Sequence, residues 1–135
     1  MMNSEMTLLS LYCDDLPAMR AFYTERLGLE VVPYLSNDAD FIFLKGSGGT
    51  PIALRAASGR PKEMPATPGA VEITFDAPDL DAVHADFTAH GVPILSGITD
   101  MGAGHMFLAH DPAGNILSIA QLNDDVRAAR TQRGM

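Results

Sequence analysis

The feature that most constrains this sequence is an order of strand and helix signals that occurs twice. In each half, an alternating apolar stretch leads to a capped helix, a glycine and further strand-like stretches. Leu16 and Leu80 are 64 positions apart, and Gly28 and Gly91 are 63 apart, so the repeat is nearly regular. One β-α-β-β-β unit cannot cover both faces of its sheet, so two units are expected to pack together. The sequence therefore predicts an α+β fold of two paired βαβββ modules.

The boundaries of the modules follow from turn and linker composition. The first module is predicted over residues 7–56 and the second over residues 70–122. Residues 57–69 are rich in proline and glycine and are predicted to be a linker. The tail, residues 123–135, is predicted to be a solvated terminus; the alternative is a short helix that carries Arg127, Arg130 and Arg133.

The helices are predicted from their capping residues and the strands from alternation. Asp14 or Asp15 in the first module and Asp79 in the second are candidate N-terminal caps, and Gly28 and Gly91 are candidate C-terminal residues. The predicted strands are 7–13, 29–35, 40–45 and 51–56 in the first module, and 70–75, 92–95, 104–109 and 115–122 in the second.

Composition excludes several classes of function. With 9 basic and 17 acidic residues the formal net charge is −8, so the chain would repel a nucleic acid, and a cationic or neutral ligand is favoured. No apolar run reaches the roughly 18 residues that a membrane span needs, so no membrane association is expected. The single cysteine, Cys13, rules out an internal disulfide and, with no secretion signal at the N-terminus, favours a cytoplasmic location.

Two motifs at opposite ends of the duplicated pattern resemble one known family. Asp15–Tyr23, followed by Leu27-Gly28-Leu29, resembles the first-module signature of the vicinal oxygen chelate superfamily of glyoxalases, bleomycin-resistance proteins and extradiol dioxygenases. Asp111–Ile119, which begins with the composition of a tight hairpin turn, resembles the closing hairpin of that family. The resemblance covers roughly residues 7–122. It implies that the curved mixed sheets of the two modules surround a concave cavity.

The resemblance also implies where a metal would bind. Metal-dependent members place a His or Glu near the middle of four strands, and counting from the motifs gives Leu8, Ala53, Ala70 and Ser118. Divalent metals need oxygen, nitrogen or sulfur donors that converge from several elements, and these four side chains include only one hydroxyl. The sequence therefore predicts no metal and no other cofactor.

Strand alternation predicts which side chains face away from the helices. One face of each sheet is expected to pack under a helix, and the other is either ordinary exposed sheet or, as the resemblance implies, the lining of the cavity. On the cavity interpretation it carries a polar ligand-binding set of Ser10, Tyr12, Arg55, Glu72, Thr74 and Ser118. Arg55 and Glu72 are expected to pair with each other or with charged groups of a ligand. If Glu72 is sheltered and unpaired, its pKa rises and it becomes a candidate general base.

The four histidines and the cysteine occupy different predicted environments. His105 joins the ligand-binding candidates because its strand borders the predicted cavity, with a packing or surface role as the alternative. His84 is expected at the surface, His90 at a helix C-terminus where a partly positive ring suits the dipole, and His110 in a hydrogen bond at the hairpin turn. Cys13 lies on the apolar side of its strand and is expected to be buried and inert.

The leading functional hypothesis is a metal-free, non-catalytic small-molecule binder similar to the bleomycin-resistance branch, which would sequester a drug-like or cationic ligand. One alternative is a lyase or isomerase with Glu72 as base and Tyr12 or Arg55 polarising a carbonyl. Another is a divergent metal-dependent glyoxalase-like or dioxygenase-like enzyme that recruits His105 or His110, and a last one is a dimerisation or regulatory module. By analogy with the family, a homodimer is expected.

Overall fold

The fold consists of two units, each with its own sheet. The computed structural model describes residues 8–37, 39–48, 50–60 and 71–132. The chain divides into residues 1–66 and residues 67–135, and each part has one four-stranded mixed sheet among its described residues. The predicted α+β class and the repeated β-α-β-β-β order are confirmed. No helix in the described part of the chain is long and apolar enough to cross a membrane.

The described residues of unit 1, which spans residues 1–66, form one α-helix and a mixed sheet. Its elements are β1 (Leu9–Cys13), α1 (Leu16–Ala21), β2 (Glu30–Val31), β3 (Phe41–Lys45) and β4 (Ile52–Ala56). The strand order is β1-β4-β3-β2; β1 is parallel to β4, and the other neighbours are antiparallel.

Local signals account for the start and the end of α1. The Asp15 carboxylate accepts a hydrogen bond from the backbone N–H of Ala18 at 3.0 Å, which caps the helix. The helix continues as a π-helical turn over Phe22–Arg26 and stops at Gly28, whose φ of +74° is the left-handed conformation that glycine adopts without strain. Met19 is fully buried where α1 packs against β4.

Unit 2, residues 67–135, repeats this plan and adds a helix at its end. Its elements are β5 (Glu72–Asp76), α2 (Leu80–Ala89), β6 (Ile94–Asp100), β7 (Gly104–His110), β8 (Ile116–Leu122) and α3 (Asp124–Gln132). The strand order is β5-β8-β7-β6; β5 is parallel to β8, and the other neighbours are antiparallel.

Helix α2 covers one face of the second sheet. Asp79 caps it by accepting a hydrogen bond from the backbone N–H of Ala82 at 3.1 Å, and Gly91 follows it with a φ of +70°. Phe87 of α2 packs edge-to-face on Phe107 of β7 with 5.7 Å between ring centroids. Both rings are fully buried, so they form the centre of the core of unit 2.

The turn between β7 and β8 is built around a buried carboxylate. Asp111 is 3% exposed, and one of its oxygens accepts hydrogen bonds from the backbone N–H groups of Ala113 and Asn115, both at 2.9 Å. The other oxygen accepts a hydrogen bond from the Asn115 side-chain amide at 2.9 Å. These donors satisfy the charge, which makes its burial tolerable. The tight turn that the sequence predicts here is confirmed.

Two predicted strands differ in length from those observed. The strand predicted over residues 29–35 is reduced to β2, because Pro33 lacks a backbone N–H and begins a 3₁₀ turn over Pro33–Leu35. The strand predicted over residues 92–95 extends to Asp100, because β6 continues its pairing with β7 through two register shifts that alternation does not reveal.

Parts of the predicted linker and of the predicted tail are helical. Ala57–Gly59 of the predicted linker form a short 3₁₀ turn, and residues 61–70 lie outside the described residues. The tail follows the alternative interpretation, since Asp124–Gln132 form α3 instead of an unstructured terminus. Asn123 starts this helix by accepting a hydrogen bond from the backbone N–H of Arg127 at 2.9 Å.

Candidate ligand-binding faces

Each sheet has a helix-covered face and an opposite face, which we call the far face. Register and alternation assign Ser10, Tyr12, Phe41, Phe43, Ala53 and Arg55 to the far face of unit 1. The same rules assign Glu72, Thr74, Asp76, Met106, Ser118 and Ala120 to the far face of unit 2. All of the predicted ligand-binding residues except His105 therefore lie on the two far faces.

The far face of unit 1 holds an arginine between two aromatic rings. Tyr12 on β1 and Phe41 on β3 both pair with Arg55 on β4, the strand between them. The guanidinium carbon of Arg55 lies 5.4 Å from the centroid of the Tyr12 ring and 5.3 Å from that of Phe41, which is within cation–π range. All three side chains are half-buried. We call these three residues the Arg55 cluster.

Among the described residues of unit 1, no carboxylate forms an ion pair with the guanidinium of the Arg55 cluster. No carboxylate among the described residues of unit 1 lies within 4.0 Å of it, although Lys45 of the same sheet reaches Glu30 at 3.9 Å. The backbone carbonyl of Arg55 accepts a contact from the buried Cys13 thiol at 3.6 Å, so the predicted burial of Cys13 is confirmed. Pairing of Arg55 with Glu72, a residue of unit 2, stays a prediction.

The far face of unit 2 is exposed on β5 and buried on β8. Thr74 pairs with Ser118 in the register of these two strands. Glu72 and Thr74 are exposed, whereas Ser118 is 3% exposed and its hydroxyl donates toward the Met106 sulfur at 3.9 Å. A general-base role of Glu72 requires a carboxylate buried from solvent, and Glu72 is exposed in this structure.

A carboxylate at the end of β5 binds the terminal helix. The Arg127 guanidinium donates two hydrogen bonds to Asp76, at 2.6 Å and 2.8 Å. This bidentate geometry is the strongest arrangement for an arginine and a carboxylate. The hydrogen bonds to Asp76 raise the pKa of Arg127, so its charge persists at every pH used in ordinary experiments. The sequence analysis missed this pair because its members are 51 positions apart.

His105 is not brought together with the other candidates. It lies on the helix-covered face, because strand alternation gives it the same side as Phe107, which packs on α2. It is exposed, pairs with Gln121 and borders a cleft of about 450 Å³ within unit 2. The Gln121 side-chain oxygen accepts a hydrogen bond from the backbone N–H of Leu80 at 3.0 Å, which leaves this amide engaged in capping α2.

The remaining histidines have structural contacts. His84, expected at the surface, is half-buried, with its ring 5.0 Å from that of Phe107. His90 follows α2, and its Nδ1 lies 2.8 Å from the carbonyl oxygen of Asp86. The expected hydrogen bond of His110 at the turn is confirmed, with 3.3 Å between its Nδ1 and the Gly114 carbonyl oxygen.

The residues at the implied metal positions do not fit a divalent ion. Leu8 and Ala53 offer no donor atom, and Ser118 offers a buried hydroxyl. Ala70, the fourth position, lies outside the described residues. Divalent ions in proteins are held by several converging donors. In the ranges that the structure describes, no group of three or more His, Cys, Asp or Glu could hold a metal ion.

The structural repeat also revises one of these positions. Asp15 and Asp79 cap equivalent helices, and the residues seven positions before them are Leu8 and Glu72. By this count Glu72, not Ala70, is equivalent to the metal-ligand position of the first strand. One exposed carboxylate beside a leucine, an alanine and a serine still does not complete a metal site.

Phe41 is the site residue that the sequence analysis omitted. Its signal was present, because Phe41 and Phe43 alternate with the buried Ile42 and Leu44. Alternation alone does not predict the strand register, which places Phe41 beside Arg55 on the neighbouring strand.

Two β-α-β-β-β units with polar far faces define a protein built by duplication of one module. The model of the Glyoxalase/Bleomycin resistance protein/Dioxygenase superfamily matches residues 6–119. The chain belongs to this superfamily, and the resemblance seen in the two sequence motifs is confirmed.

Solved structures with this fold differ in their named functions. A lactoylglutathione lyase from Agrobacterium tumefaciens is 28% identical, with a TM-score of 0.66 over 88% of this chain and 94% of that one. TnmS3, an antibiotic binding protein from Streptomyces sp. CB03234, is 23% identical, with a TM-score of 0.70 over 91% of this chain and 99% of that one. A family enzyme from Burkholderia phytofirmans PsJN is 16% identical, with a TM-score of 0.76 over 89% of this chain and all (100%) of that one. A comparison with curated protein sequences gave no significant match.

Proposed function

We propose that this protein binds a small organic molecule on its far faces without a divalent metal and without catalysing a reaction. The observation that carries the proposal is the set of side chains at the family's metal positions. Leu8, Ala53 and Ser118 lack strong donors, and Glu72 alone cannot hold an ion. The far face of unit 1 instead presents half-buried aromatic rings and a cation, which are groups that bind organic ligands.

A drug-like ligand is the form of this proposal that the comparisons favour. TnmS3 is named as an antibiotic binding protein, and this chain shares its fold. Sequestration requires affinity and no chemistry, so a site without a metal or a sheltered base is sufficient for it. The net charge of −8 extends the proposal to cationic drugs, which the protein would attract most strongly at low ionic strength.

The enzymatic alternatives have weaker support. A lyase or isomerase that uses Glu72 as its base needs a desolvated carboxylate, and Glu72 is exposed. A divergent metalloenzyme that recruits His105 or His110 gains only one imidazole on either side of β7. The two histidines are five positions apart in a strand with unbroken register, so they point to opposite faces.

Metal content and ligand binding are measured on the same preparation. The protein is purified without chelators, analysed for metals by mass spectrometry, and screened by thermal shift and isothermal titration against bleomycin and other cationic antibiotics. We expect no stoichiometric metal and a ligand whose affinity is unchanged after dialysis against EDTA. A stoichiometric metal whose removal abolishes binding, or whose occupancy is lost in Glu72→Ala, contradicts the metal-free proposal. Absence of binding to every antibiotic contradicts the drug-binding form.

The proposal includes a homodimer in the cytoplasm. Analytical ultracentrifugation of the full chain at several concentrations measures the oligomeric state, and a single monomeric species across the range rejects the dimer.

A further inference from the structure

We propose that the Arg55 cluster is a receptor for the carboxylate group of the ligand, so that the small molecule bound by unit 1 is an aromatic or otherwise planar carboxylic acid. This inference rests on the proposed function of small-molecule binding and deepens it, because it names the chemical class of the ligand and the residues that select it. It replaces the cationic form of that proposal with an acidic ligand at unit 1.

Toward the described residues of unit 1, the guanidinium of Arg55 leaves its hydrogen-bonding capacity unused. A guanidinium has five N–H donors in a rigid fork that matches the two oxygens of a carboxylate. Among the described residues of unit 1, the contacts of this group are the faces of the Tyr12 and Phe41 rings, with no carboxylate within 4.0 Å. Ring faces attract the charge but accept no strong hydrogen bond, so the edge of the fork is available to a ligand.

The two aromatic rings also preorganise the Arg55 side chain. Tyr12 and Phe41 are the cross-strand neighbours of Arg55 on its two sides, so the rings limit the rotamers of the arginine before any ligand arrives. Binding normally costs the conformational entropy of ordering a long side chain. Because the fold already restricts Arg55, ligand binding loses less of this entropy. The same rings are half-buried and present apolar surface beside the N–H groups of the guanidinium. This surface suits the planar part of a ligand whose carboxylate binds those N–H groups.

Arg55 and Arg127 differ in their carboxylate partners. Arg127 of unit 2 has the bidentate carboxylate partner that an arginine prefers, with N–O distances of 2.6 Å and 2.8 Å to Asp76. Arg55 is half-buried, and no carboxylate among the described residues of its own unit lies within 4.0 Å of its guanidinium. The negative net charge does not oppose a local anion site, because exposed charges are screened beyond about 8–10 Å at physiological salt.

The test uses three probes of similar size and different charge, namely phenylacetate, phenylacetamide and phenethylamine. Their affinities for the full chain are measured by isothermal titration, with ligand-observed NMR for weak binding. The variants are Arg55→Gln, which removes the charge, and Arg55→Lys, which keeps the charge without the fork. Arg130→Gln is the matched control, because it removes an exposed arginine charge in α3. Circular dichroism and thermal midpoints establish that each variant is folded.

The expected result is a preference for the carboxylate that depends on Arg55. Phenylacetate should bind more tightly than the amide and the amine, and Arg55→Gln should weaken it about 10- to 100-fold while leaving the amide unchanged. Arg55→Lys should recover only part of the loss, and Arg130→Gln should behave as the wild type.

Three outcomes overturn the inference. One is tighter binding of the amine than of the carboxylate, and another is a carboxylate preference that survives Arg55→Gln. The third is a gain in phenylacetate affinity in Glu72→Gln, since this would mean that the chain's own carboxylate occupies the arginine. Binding of the amine or the amide alone refutes only this inference, whereas absence of binding for every probe and every antibiotic refutes the proposed function as well.

Discussion

Replacing Asp111 by alanine is expected to be one of the most destabilising single changes on the surface turns of unit 2. The carboxylate is 3% exposed and accepts three hydrogen bonds, each at 2.9 Å, from the turn that joins β7 to β8. A hydrogen bond to a charged group contributes about 1.5–3 kcal/mol, but the donors are half-buried, so water replaces part of the loss. We therefore expect Asp111→Ala to lower the free energy of unfolding by about 3–5 kcal/mol, a large part of the stability of an ordinary domain.

Urea unfolding followed by far-ultraviolet circular dichroism measures this change, because the chain contains no tryptophan to report by fluorescence. Asn115→Ala removes one of the three bonds and should cost about 1–2 kcal/mol. Asp14→Ala, which removes an exposed carboxylate, should lie within about 0.5 kcal/mol of the wild type. A loss below about 1 kcal/mol for Asp111→Ala, or one equal to that of Asp14→Ala, would refute the view that this carboxylate organises the turn.

Two further predictions concern close packing and the terminal helix. A Cβ at Gly104 would overlap the backbone carbonyl oxygen of the neighbouring strand and lie 2.8 Å from the Cα of Leu122, so Gly104→Ala should destabilise unit 2 by about 1–3 kcal/mol. Gly97→Ala, with nothing within 4 Å of the new Cβ, is its control in the same denaturation experiment, and equal losses would contradict the packing argument. Asp76→Asn and Arg127→Gln should each speed amide hydrogen exchange in α3, with little change in the β8 amides; unchanged exchange in α3 would mean that the ion pair does not hold the helix.

The parts of the fold that follow from the sequence are those fixed by neighbouring residues. The caps at Asp15 and Asp79 and the left-handed glycines Gly28 and Gly91 act within one helical turn, so their signals are visible in a short window. The tight turn around Asp111 is local in the same sense. These signals, together with the repeat, were enough to predict the order of elements.

The parts that the sequence analysis missed depend on pairing between distant residues. Helix α3 is attached through Arg127 to Asp76, and the extension of β6 depends on its register with β7. His105 shows how a site is misjudged by the same cause. Alternate side chains of its strand do lie on the far face. His105, however, lies on the side that faces α2, because it alternates in phase with Phe107. Which side chains of a strand face the helix becomes certain only when the strand pairing is known.

The two units place different chemistry at equivalent positions of one scaffold. Tyr12 and Asp76 both lie three residues before the cap of their helix, and their strand partners are Arg55 and Ala120. In unit 2 the carboxylate at this place recruits an arginine from α3, so the ion pair is complete within the unit. In unit 1 this position holds an aromatic ring and the arginine is on the partner strand. No carboxylate among the described residues of unit 1 lies within 4.0 Å of the Arg55 guanidinium. Duplication thus preserved the backbone while the side chains diverged, and the unit with the incomplete pair is the one in which an external carboxylate has a defined place to bind.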